Sequence, residues 1–135
     1  MSNIADAFAT FLEDNTTSTL GQDLFISNAP STDKAQSDLW WITTNGGNKV
    51  QTLTSGEPIK EYNINVYRRH RNYQTVYEDL HSLEDILNCA GCTQLTGFDT
   101  LSIEASVLSI DNDLDNEDRK VGLLQATITT IKECN

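Results

Sequence analysis

Lys and Arg are scarce in this chain: nine stand against twenty Asp and Glu in 135 residues, for a formal net charge of −11. Proteins that wrap DNA draw most of their affinity from such cations, so this composition argues against electrostatically driven DNA binding. Proline occurs twice and glycine seven times, too rarely for a fibrous repeat or a disordered chain. No apolar run approaches the roughly 18 to 20 residues of a membrane span. The opening Met1-Ser2-Asn3-Ile4-Ala5-Asp6 has neither the basic start nor the apolar core of a secretion signal, so the chain is expected to stay in the cytoplasm. Its three cysteines are then expected to be reduced.

What is present fits an ordinary globule. At 15.0 kDa the chain is long enough to bury about two thirds of its unfolded surface around one core, and residues 1–135 read as a single domain. Ile4, Phe8, Phe11 and Leu12 recur at helical spacing after Ser2 and Asn3, which predicts a first helix over about 3–14. Leu24-Phe25-Ile26 reads as a brief strand ended by Asn28-Ala29-Pro30. Leu39-Trp40-Trp41-Ile42 is the most apolar run. Asn45-Gly46-Gly47-Asn48 then offers a tight reversal before Val50 to Thr54, which together predict a hairpin. After a second turn at Ser55-Gly56-Glu57-Pro58, a long strand from about Lys60 to Arg69 runs into a helix with Tyr73, Val76, Tyr77, Leu80, Leu83 and Leu87 on one face and Gly91 as its C-cap. Phe98 to Ile110 and Val121 to Ile131 alternate as two final strands across an acidic loop. The expected fold is α+β, a single mostly antiparallel or mixed sheet with two helices packed against it.

The most distinctive local feature is the basic hinge Arg68-Arg69-His70-Arg71, where three of the nine cations fall within four residues of an acidic chain. Such a cluster implies an acidic neighbour, in the chain or on another subunit. Tyr67 and Tyr73 flank it, and cations mixed with aromatics can form a nucleic-acid patch. Alternation, however, puts Arg68 and an inward Tyr67 on opposite sheet faces, and the acidic remainder opposes DNA. Pairing of Arg68, Arg69 and Arg71 with acidic loops of a neighbour is the simpler reading.

Three other motifs carry possible chemistry. Cys89-Ala90-Gly91-Cys92 has the spacing of a dithiol or half a zinc site, but it closes a helix, where the dipole does not favour a thiolate. Two small buried residues at a helix end is the preferred reading. Asp111, Asp113, Asp115, Glu117 and Asp118 supply oxygen ligands like the start of a calcium loop, but Asn116 and Gly122 stand where a Gly and a bidentate Glu are needed. A solvated or subunit-facing loop is preferred, partly offset by Arg119 and Lys120. His70 and His81 are unaccompanied by a nucleophile elbow, a metal-binding His pair or a phosphate loop, so no catalytic residue, cofactor site or metal site is assigned.

Taken in order, Leu24-Phe25-Ile26-Ser27-Asn28-Ala29-Pro30, Trp40-Trp41-Ile42 running to Gly46-Gly47, and Tyr62 to Tyr73 feeding Tyr77 and Leu80 to Leu87 resemble the tail terminator and minor capsid (tail completion) proteins of long-tailed bacteriophages. The resemblance spans most of the chain and includes an Asp/Arg-containing loop at Asp115 to Arg119. It implies a small α/β protomer of a hexameric ring that caps the tail tube, ends its polymerisation and joins it to the head connector. The implied partners are further copies of the chain, the tail tube protein and the connector or stopper protein; DNA passes through the lumen unbound, and no membrane is involved. The implied location is the virion neck, after assembly in the host cytoplasm. The expected subunit contact sets Arg68, Arg69 and Arg71 against Asp111, Asp113, Asp115, Glu117, Asp118 and Arg119. Another neck component, such as a head–tail stopper or completion protein, and a small acidic cation-binding module are the alternatives.

Overall fold

The computed structural model describes residues 4–16, 18–26, 38–44, 48–52, 58–89, 95, 98–112 and 119–133. Helix α1 spans Ile4–Asn15 and buries Ile4, Ala5, Ala7, Phe8, Ala9, Phe11 and Leu12, an arc that includes the four residues expected from helical spacing. The helix ends where polar side chains compete for its last carbonyls. Asn15 Nδ2 donates to Phe11 O at 2.9 Å, and Thr16 donates to Leu12 O through both its amide and its hydroxyl. The suggested caps Ser2 and Asn3 lie outside the described residues.

The strands are β1 (Leu24–Ile26), β2 (Leu39–Thr44), β3 (Asn48–Thr52), β4 (Pro58–His70), β5 (Phe98–Asn112) and β6 (Lys120–Glu133), with helix α2 (Tyr73–Asn88) between β4 and β5. They form one mixed sheet in the order β1-β2-β4-β6-β5, with β3 also on β4. All pairings are antiparallel except β1 with β2. This is the expected α+β class, with one correction. The stretches around Trp40 and Val50 do not form a hairpin with each other. Both run antiparallel to β4, β2 along Ile64–Arg69 and β3 along Pro58–Glu61, so they point the same way along one edge of a long strand. The chain therefore runs in the same direction in β2 and β3, and Asn45, Gly46 and Gly47 lie outside the described residues. The reversal falls between β3 and β4, where Thr52 faces Pro58.

Both helices cover the same sheet face. Alternation on β4 sends Tyr62, Ile64, Val66 and Arg68 to that face, opposite Ile128, Ala126, Leu124 and Gly122 of β6. On β2, Trp40 and Ile42 join them opposite Arg68 and Val66. Helix α2 starts from Asn72, whose side chain accepts the Gln74 N–H at 2.9 Å, and lays Val76, Leu80, Leu83 and Leu87 on the sheet. Tyr73 and Tyr77, expected on this apolar face, are instead 49% and 42% exposed on its flank. Gly122 is what lets the helix in so close: a Cβ there would stand 2.4 Å from Leu80 Cδ1 and 2.6 Å from Val76 Cγ1. On β6 the inward set is Gly122, Leu124, Ala126, Ile128 and Thr130, and Leu123 faces away.

Candidate functional site

The basic hinge occupies the end of β4, and strand alternation divides its arginines between the two faces. Arg68 belongs to the helix-covered face, the reverse of the expectation that Tyr67 points inward. Its side chain is 5% exposed. Nε donates to Asp79 Oδ2 of α2 at 2.9 Å, and one terminal nitrogen donates to Asp38, just before β2, and to the carbonyl of Arg69 at 3.1 Å. The guanidinium lies 5.0 Å from the Trp40 ring, its direct neighbour on β2. Arg68 thus fastens three elements to one another. Beside it a cavity of about 210 Å³ opens between the end of α1, helix α2 and the sheet, lined by Asn15, Thr16, Trp40, Asp79 and Ser82 among others.

These contacts correct the expected role of Arg68. Its donors serve carboxylates of its own chain, 11 and 30 residues away, so it is not a cation presented to a neighbour. Nothing in the local sequence pattern links Asp38 or Asp79 to Arg68, and both escaped the sequence reading.

The opposite face carries the other members of the hinge. Tyr67 stacks on Trp41 with ring centroids 5.0 Å apart and planes within 8°, as cross-strand partners of β4 and β2. The Arg69 guanidinium sits 5.8 Å from the same Trp41 ring and is 5% exposed. Arg119, immediately before β6, is 2% exposed, whereas Arg71 is exposed. Asp111 is exposed on β5 opposite Val121, the residue that faces Arg69 from the other side. Arg69, Val121 and Asp111 thus form one row across three strands. Asp113, Asp115, Glu117 and Asp118 lie outside the described residues, so the expected pairing of that loop is not drawn further from the structure.

The remaining candidates separate. Cys89 is exposed and disulfide-bonded, not a reduced and buried thiol. It follows the last helical residue in an extended conformation (φ −72°, ψ 112°), so it leaves the path that would carry it to the core. Gly91, Cys92 and Cys134 lie outside the described residues. His70 Nδ1 accepts the Asn72 N–H at 3.0 Å, and His81 Nδ1 stands 3.3 Å from Glu84 Oε1 with its ring against Tyr77. Each histidine has a local structural partner. Among the described residues no three His, Cys, Asp or Glu gather as a metal site, and no helix is long and apolar enough to cross a membrane. No protein-family description matches the chain, and no curated protein is significantly similar to it.

Proposed function

We propose that this chain is a virion structural protein: a tail terminator whose copies close into a ring, most simply a hexamer, that caps the tail tube and joins it to the head connector. The observation that carries the reading is the one-sided architecture. Both helices lie on one sheet face, and the other presents Asn63, Asn65, Gln125, Thr127 and Thr129 around the half-buried Trp41 and Tyr67. A ring protomer must offer two different, complementary surfaces to its neighbours, and a polar sheet face together with a helix-covered face supplies two. Arg71 is exposed at the β4 end, whereas Arg68 is buried against carboxylates of its own chain. The acidic surface suits a lumen that DNA traverses without sticking.

Native mass spectrometry at near-physiological salt, with and without purified tail tubes, tests the reading. The expected result is a closed species of about 90 kDa, six copies of the 15.0 kDa chain, formed alone or on the tube end. A chain that stays monomeric and never joins tubes, even at high concentration, overturns it.

A further inference from the structure

Among the described residues four large apolar side chains are conspicuously exposed: Leu20, Tyr73, Tyr77 and Leu108. Two of them, Tyr73 and Tyr77, stand together on α2. Tyr73, Tyr77 and His81 recur every four residues on α2 and form a continuous aromatic ladder, with centroids 6.3 Å apart for the tyrosines and 4.2 Å for Tyr77 and His81. The next residue along this flank, Glu84, contacts His81 and also accepts the Val107 N–H at 2.8 Å. The His81 end of the flank therefore lies near Val107 of β5, which Leu108, 54% exposed, follows at a break in the strand register.

The charge on α2 itself has one sign. Helix α2 contains no Lys or Arg, while Glu78 and Asp85 are exposed on its solvent side. Aromatic faces rimmed by carboxylates attract guanidinium and ammonium groups through cation–π and ion-pair contacts together. Another copy of this chain, at a formal net charge of −11, is a weaker electrostatic match to such a flank than a cationic segment.

We propose that the α2 flank bearing Tyr73, Tyr77 and His81, its His81 end near Val107 and Leu108, is a docking surface for a cationic segment of a different protein that alternates Lys or Arg with aliphatic residues. The inference stands on this flank alone and does not depend on ring formation.

The test uses two synthetic peptides, acetyl-Arg-Leu-Arg-Leu-Arg-amide and its Glu-Leu-Glu-Leu-Glu counterpart, titrated into the isotopically labelled full chain and followed by amide chemical shifts. The cationic peptide is expected to move resonances from Tyr73 to Asp85 and from Val107 to Ser109, and the acidic peptide to move none. Tyr73→Ser combined with Tyr77→Ser should weaken binding at least tenfold at an unchanged melting temperature. Shifts spread over the whole acidic surface, or an undiminished affinity in the double variant, would overturn the proposal. So would concentration-dependent shifts of the same flank without peptide, which would assign it to a second copy.

Discussion

The carboxamide of Asn88 pairs with both backbone polar groups of Ala105: its Nδ2 donates to the carbonyl at 2.9 Å and its Oδ1 accepts the N–H at 2.8 Å. Strand β5 is the last in the sheet order, so its outer edge would otherwise offer these groups to any passing strand. Glu84 closes the next outward N–H, that of Val107, in the same way. The end of α2 thus acts as a substitute strand for the middle of an edge.

Replacing Asn88 by Ala should cost about 1–2 kcal/mol, since two partly buried backbone groups lose their partners. Urea unfolding measures this directly. The variant should also aggregate faster on mild heating than an exposed control such as Gln74→Ala. A stability within error of the parent would show that the edge is not held by Asn88.

Gly122→Ala should destabilise by about 1–3 kcal/mol through overpacking. The new methyl meets Leu80 Cδ1, the far end of a flexible side chain, and Val76 Cγ1, which is β-branched and stiff on its helix. Val76→Ala should therefore relieve much of the cost. In a double-mutant cycle the pair should be more stable than the sum of the single changes, and simple additivity would contradict the contact.

The two carboxylates on Arg68 should contribute unequally. Asp38 has a side chain 62% exposed and Asp79 one 37% exposed, so water screens the first more strongly. Asp38→Asn is expected to cost no more than about 0.5 kcal/mol and Asp79→Asn about 1–2 kcal/mol. Arg68→Ala should exceed both, at about 3 kcal/mol, because it also uncovers Trp40. Equal effects of the two Asn variants, read from thermal unfolding, would reject this ordering.

Reduction should lower the melting temperature, because Cys89 is bonded in a disulfide. The size of the loss reports the ring that is closed. On chain-entropy grounds a short ring to Cys92 is worth about 2 kcal/mol and a long ring to Cys134 about 4 kcal/mol. Peptide mapping under non-reducing conditions identifies the partner independently, and an unchanged melting temperature in reductant would contradict a stabilising bond.

Much of the fold was legible where one periodicity dominated. The spacing of Ile4, Phe8, Phe11 and Leu12 marked α1 to within a residue, and the alternation through Ile64 and Val66 marked β4. The misreadings came from local signals settled by distant partners. Asn45-Gly46-Gly47 carries turn chemistry, but whether the flanking strands pair with each other or with a third depends on β4, which is long enough to take both. Tyr73 and Tyr77 satisfy the helical spacing of a buried face, yet they fall in register with His81 on a separate flank. For the hinge, extending the parity of Ile64 and Val66 would have sent Arg68 inward. The reluctance to bury a cation hid that result, and the carboxylates that make it tolerable lie far away in sequence.

The register of β4 with β6 has a kinetic side. The β3–β4 and β5–β6 pairs connect neighbours in the chain and can close early, whereas Ile64 meets Ala126 only after nearly half of the polypeptide has been brought back on itself. The entropy of that closure falls on a single ladder, so its formation is expected to set the folding rate. The chain should assemble as two preformed halves that meet along β4 and β6, and a break between α2 and β5 should leave two fragments able to find each other again.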